Sequence, residues 1–193
     1  MKEPDKHQLA AFEEFVGQFR AETDRAAVIL GAAKLDYLLF QLVDRVLIPN
    51  HGKEDDLLDD NRPLSSFSAR ISLSYRLGKI DASFAKALHL IRKIRNDFAH
   101  KIPDARLDLS PHRDRVRELV ALIRNKEMLN KIQKAYFEDK QGPSSEFYAA
   151  VTMMVARLDT LFAQTSTIDS KNACSIYPPD RKKHSAKQTL SSQ

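Results

Sequence analysis

The sequence has 193 residues, 42% of them apolar and 30% charged, enough for one domain with a real core and too short to expect two. Five glycines and no tryptophan argue against an all-β sandwich or barrel, which needs frequent glycine turns. The formal charge is +5, but residues 166–193 hold five cations against two acids, leaving about +2 for the rest, so the domain itself is not strongly basic.

Helical periodicity dominates from the start. "HQLAAFEEFVGQFR" spaces Leu9, Phe12, Phe15, Val16 and Phe19 as one face of an amphipathic helix. Thr23 or Asp24 can cap a second, longer helix, apolar at Val28, Leu35, Leu39, Leu42 and Val46, which must end near Pro49. A helix that long and apolar belongs at the centre of the fold. Pro49 to Pro63 then reads as a connector, two prolines bracketing five acids. Its acidity makes it a poor partner for phosphates.

A third helix follows with Ser65 or Ser66 as cap and Gly78 placed to end it. Asp81 caps a fourth, "ASFAKALHLIRKIRNDFAH", which must stop before Pro103. Ser110 and Pro111 mark the start of a fifth, as cap and first helical residue. "KEMLNKIQKAYFED" either continues or kinks from it. A last helix, "GPSSEFYAAVTMMVARLDTLFAQ", turns Phe147, Val151, Met154, Leu158, Leu161 and Phe162 inward, with Met153 and Met154 read as packing. The expectation is an all-α bundle of six or seven helices over residues 1–165, with a polar, basic and disordered tail over 166–193.

The longest nearly unbroken apolar run, Tyr148 to Ala156, is about nine residues against the roughly 20 that span a bilayer. "MKEPDKHQ" lacks an apolar signal region, and a lone Cys174 suits a reducing compartment. A cytoplasmic protein without membrane contact is expected. The histidines show no metal-ligand spacing, and no phosphate-cradling glycine loop or Ser–His–Asp arrangement is present. No cofactor and no metal are expected.

The stretch that carries chemistry is "IRKIRNDFAH", Ile91 to His100. At about 100° per residue, Phe84, Ala87, Leu88, Ile94 and Phe98 lie within about 60° of Ile91 and form the buried stripe. Arg95 sits beside that stripe, whereas His89, Asn96 and His100 point the other way. Lys93, Asp97 and Lys101 follow one another at i, i+4, the spacing of an exposed ion-paired edge. Arg95 and His100 are about 140° apart on a straight helix, so they converge only if the helix loosens at its end or two chains bring two copies together.

The spacing Arg95-Asn96-x-x-x-His100 resembles the signature of HEPN domains, all-helical modules many of which are metal-independent endoribonucleases. In that family a dimer brings two such motifs together across a cleft. The resemblance implies Arg95, Asn96 and His100 as catalytic candidates, with Arg92, Lys93 and Lys101 as RNA-binding candidates. "FSARISLSYRLGKI" followed by "LHLIRKIRNDFAH" is similar to the mannitol operon repressor family, helical bacterial regulators without a recognisable DNA-binding motif. That similarity is densest from Ser66 to His100, with a compatible helix order from about Phe12 to Gln164.

Two functions are therefore expected in competition. The leading one is a regulator that affects gene expression through partner or RNA contacts, as a homodimer. The rival is a nuclease of the toxin–antitoxin or defence kind, whose partner would be an antitoxin. A structural alternative stands beside both: Arg95 lies along apolar surface and pairs with Asp36 or Asp44 on a neighbouring helix. Sequence-specific DNA reading is not expected. The helix after Gly78 runs about twenty residues with a core stripe, and offers only Ser83, Lys86 and His89 toward a groove in its early turns.

Overall fold

The computed structural model describes residues 6–100 and 105–169, with side chains from residue 9 onward. Seven helices follow in order: α1 (Lys6–Ala21), α2 (Asp24–Val46), α3 (Phe67–Arg76), α4 (Ala82–His100), α5 (His112–Leu122), α6 (Lys126–Tyr136) and α7 (Gly142–Gln164). The chain is all-α, as its periodicity indicates, and no strand occurs among the described residues.

Most of the helix starts are written locally. The Thr23 hydroxyl accepts from the Ala26 amide (3.4 Å), Ser66 from Ala69 (3.2 Å), and the Asp81 carboxylate from Phe84 (2.7 Å). α3 ends at Gly78, whose φ of 66° is cheap only for glycine, and the Lys79 amide returns to the Ser74 carbonyl (2.9 Å). α5 departs from the expected start by one residue. Pro111 is its N-cap rather than its first helical residue, and the Ser110 hydroxyl donates to the Asp114 carboxylate (2.7 Å) rather than accepting from the backbone. α6 is a separate helix because the Asn125 side chain caps it, accepting from Met128 (2.9 Å).

α2 and α7 form the centre. Asp24 accepts from Ser144 at their N-terminal ends (2.6 Å), and Arg45 donates to the Thr165 carbonyl at the other (2.9 Å), so the two helices run parallel. A Cβ on Gly31 would stand 2.9 Å from Val151 Cγ1 and 3.1 Å from the Phe19 ring, which is why glycine occupies that turn of α2. α7 is buried more widely than an amphipathic stripe requires: Tyr148, Ala149, Ala150, Thr152 and Val155 join Phe147, Val151, Met154 and Leu158 inside. Leu161 and Phe162 are only half-buried, and Arg45 lies over the Phe162 ring at 4.6 Å.

α2 is, by length and composition, apolar enough to cross a membrane. Its ten buried residues instead pack against α7, α4 and α3, the position expected of a central helix. α1 closes one end through an aromatic cluster, with Phe19 stacked on Phe15 (5.2 Å) and tilted against Tyr148 (4.7 Å). After α7 the chain turns along the end of α2, where the Ile168 amide donates to Val46 (2.8 Å) and the Thr167 hydroxyl to Arg45 (3.1 Å). These bonds satisfy carbonyls that a helix end leaves open. The segment read from sequence as tail therefore begins against α2, and the remainder of it, with Cys174, lies outside the described residues.

Candidate functional site

The candidate residues lie on the second half of α4, which stays an α-helix through His100. The stripe is as its spacing requires: Ala87, Leu88, Ile91, Ile94 and Phe98 are buried, joined by Ala85 and Leu90, while Phe84 is half-buried. Arg92, Arg95 and Asn96 are half-buried, and Lys93 and His100 are exposed. Lys101 falls outside the described residues. Because α4 does not loosen before His100, Arg95 and His100 of one chain point in different directions.

Arg95 does not hold the fold through the expected acid. Asp36 is taken by Arg70 of α3, with Nε at 2.8 Å and Nη2 at 2.7 Å from Oδ1, while Nη1 donates to the Leu64 carbonyl at 3.0 Å. Asp44 sits exposed near the end of α2. Among the described residues Arg95, Asn96 and His100 have no hydrogen-bond or ion-pair partner. The Nε of Arg92 is buried without an acceptor. His89, one turn before Lys93, is pushed below its usual pKa by burial first and then by Arg92 and Lys93, so its ring stays neutral at physiological pH.

The middle of the motif does structural work. Asp97 accepts from Arg115 (2.6 Å) and faces His112 Nε2 (3.3 Å), tying the end of α4 to the start of α5. Nδ1 of His112 faces the Arg106 carbonyl at 3.0 Å, and its ring meets Phe98 edge-on at 4.9 Å. Both nitrogens face acceptors, so both contacts are donations when the ring carries two protons. Arg25 of α2 donates to the Phe98 carbonyl, closing an open carbonyl in the last turn of α4. Asp97, expected on an exposed edge, is instead largely covered between α4 and α5, and His112 has no signal in the sequence for this role. Asp97 and His112 are fifteen residues apart, and no periodicity links them; only a buried-histidine rule applied to "SPHRDR" could have raised the question.

The described residues contain no group of three or more His, Cys, Asp or Glu able to hold a metal. What α4 presents outward is a guanidinium, an amide, an imidazole and neighbouring cations on a rigid helix: groups that bind anions and, in pairs, move protons.

An all-helical bundle with its central pair parallel and a basic outer face on α4 is thus the class of molecule. No protein-family model and no curated protein matches the sequence. A solved structure does. The X-ray structure of the MtlR–HPr complex from Escherichia coli aligns at a TM-score of 0.59 and 20% identity, over 78% of this chain and 99% of that chain. The mannitol-repressor-like fold expected from Ser66–His100 is therefore the fold the chain has.

Proposed function

We propose that this chain is a bacterial regulatory protein of the mannitol-repressor kind, which affects gene expression by docking a protein partner and works without a DNA-reading helix. The observation that carries this is the extent of the fold likeness: 99% of a chain from the MtlR–HPr complex has its counterpart here. α4 supports the absence of DNA reading. One face of it is core and Asp97 reaches α5, which supports a structural role for this helix over groove reading. The protein is a homodimer in this reading, and Arg92, Lys93 and Lys101 add contacts to RNA.

The test is calorimetry of the purified chain with HPr from the same organism. Association at about 1 μM or tighter is the expected result. Absence of binding by a folded protein overturns the HPr-type partner.

One observation favours a second reading, a metal-independent endoribonuclease: Arg95, Asn96 and His100 have no hydrogen-bond or ion-pair partner among the described residues. In the resembling HEPN family these positions act on RNA. His100 would take the proton of a 2′-hydroxyl, whose oxygen attacks phosphorus as the bond to the 5′-oxygen breaks, and the departing 5′-oxygen would take a proton from the second chain's imidazolium or from water. Arg95 would hold the phosphate, and Asn96 would orient it. Since α4 separates Arg95 from His100, the site needs two chains. RNA cleavage in EDTA that yields 2′,3′-cyclic ends and is lost in both Arg95→Ala and His100→Ala supports it. Intact RNA in the presence of a folded dimer removes it.

A further inference from the structure

We propose that the cleft between the start of α4, the α5–α6 junction and α7 binds a small organic anion with an apolar body, such as a medium-chain carboxylate. The cleft holds about 420 Å³, within the roughly 300–1,000 Å³ typical of small-molecule sites. Ile80, Phe84, Leu122, Ile123, Leu158 and Leu161 supply apolar walls. Met153 and Met154 complete the lining, and their flexible thioethers fit an irregular ligand body.

The rim is cationic. Lys79 arrives from the α3–α4 turn, Arg124 from the α5–α6 junction and Arg157 from α7. None of these three side chains has a hydrogen-bond or ion-pair partner among the described residues. The lining contains one acid, Asp81, and its carboxylate is occupied by the Phe84 amide at 2.7 Å. Asn125 is likewise occupied, as the cap of α6. α4 and α6 both begin at this cleft; the α6 dipole, capped by a neutral amide, adds to the positive potential, whereas the Asp81 carboxylate offsets that of α4.

Charge and surface together select the ligand. Three unpaired cations over an apolar interior favour an anionic head on a hydrocarbon body. A sugar or a bare nucleotide would leave its hydroxyls facing hydrocarbon walls, at the cost of unmade hydrogen bonds. The site is separate from the motif. Ser83 and His100 are 17 residues apart on one helix, about 25 Å along its axis.

The experiment is calorimetry of the full chain with octanoate, with octanol as the same body without the charge, and with acetate as the charge without the body. One octanoate site is expected, with octanol and acetate weaker by at least about tenfold. Arg124 and Arg157 are exposed, so Arg124→Ala/Arg157→Ala should keep its melting temperature and weaken octanoate by at least about tenfold. Arg117→Ala, an exposed cation outside the cleft, should leave binding unchanged. Methyl-labelled Met153 and Met154 should shift on addition of octanoate. No octanoate binding by the folded chain, equal binding of octanol, or unchanged affinity in the double variant would each overturn the assignment.

Discussion

Replacing Arg70 by alanine, with Arg95→Ala alongside, tests which arginine holds the bundle together. Arg70 is 8% exposed; it gives Asp36 a hydrogen bond of 2.8 Å from Nε and an ion-pair contact of 2.7 Å from Nη2, and gives the Leu64 carbonyl a hydrogen bond of 3.0 Å. Its removal strands a carboxylate that is only a quarter exposed, together with a carbonyl. Breaking a buried pair costs about 3–5 kcal/mol, and the partial exposure of Asp36 points to the lower end, about 3 kcal/mol. For a chain of this size that lowers Tm by about 6–12 °C. Arg95→Ala loses only stem packing, and should cost no more than about 1 kcal/mol. Urea unfolding followed by circular dichroism at 222 nm measures both. If Arg95→Ala proves as costly as Arg70→Ala, the division of labour drawn from the ion pairs is wrong. The comparison matters for function, because only a variant that keeps its fold can report on RNA or partner contacts.

Glycine positions give a second pair of tests. Gly31→Ala should destabilise by about 1–3 kcal/mol, because its Cβ meets Val151 and Phe19, whereas Gly17→Ala opens into free space on α1 and should stabilise by about 0.5–1 kcal/mol. His112→Ala empties a site 5% exposed and leaves the Arg106 carbonyl without its donor; a loss of about 2–4 kcal/mol is expected by chemical denaturation. His89 has a folded pKa below 6.5, so the unfolded chain binds more protons between the two values and stability falls as pH drops through that window. His89→Gln should flatten this acid-side loss in a series of melting curves. Asp159 is pushed the other way by burial, against the opposing pull of Lys34, so its ionisation above the ordinary carboxylate range weakens the fold. Asp159→Asn should raise Tm at pH 7, and the gain should shrink in acid.

The amino-acid sequence by itself determined the helices and most of their ends. Thr23, Ser66, Asp81 and Gly78 act within four residues of themselves, and a core stripe such as Leu88–Ile91–Ile94–Phe98 is a property of one helix. Such features need no knowledge of where the rest of the chain goes. It also brought Arg95, Asn96 and His100 into view, through their spacing and through resemblance. What those residues do was not legible there, because it depends on neighbours distant in sequence.

Only the tertiary structure decided that Asp36 belongs to Arg70, that Asp97 ties α4 to His112 and Arg115, and that Arg95 and His100 have no polar partner among the described residues. It alone set α2 and α7 parallel, and gathered Lys79, Arg124 and Arg157 around one apolar cleft. Pairings of this kind are chosen by which faces meet when the core closes. A side chain 34 or 18 residues away carries no local signal of the partner that packing will bring to it.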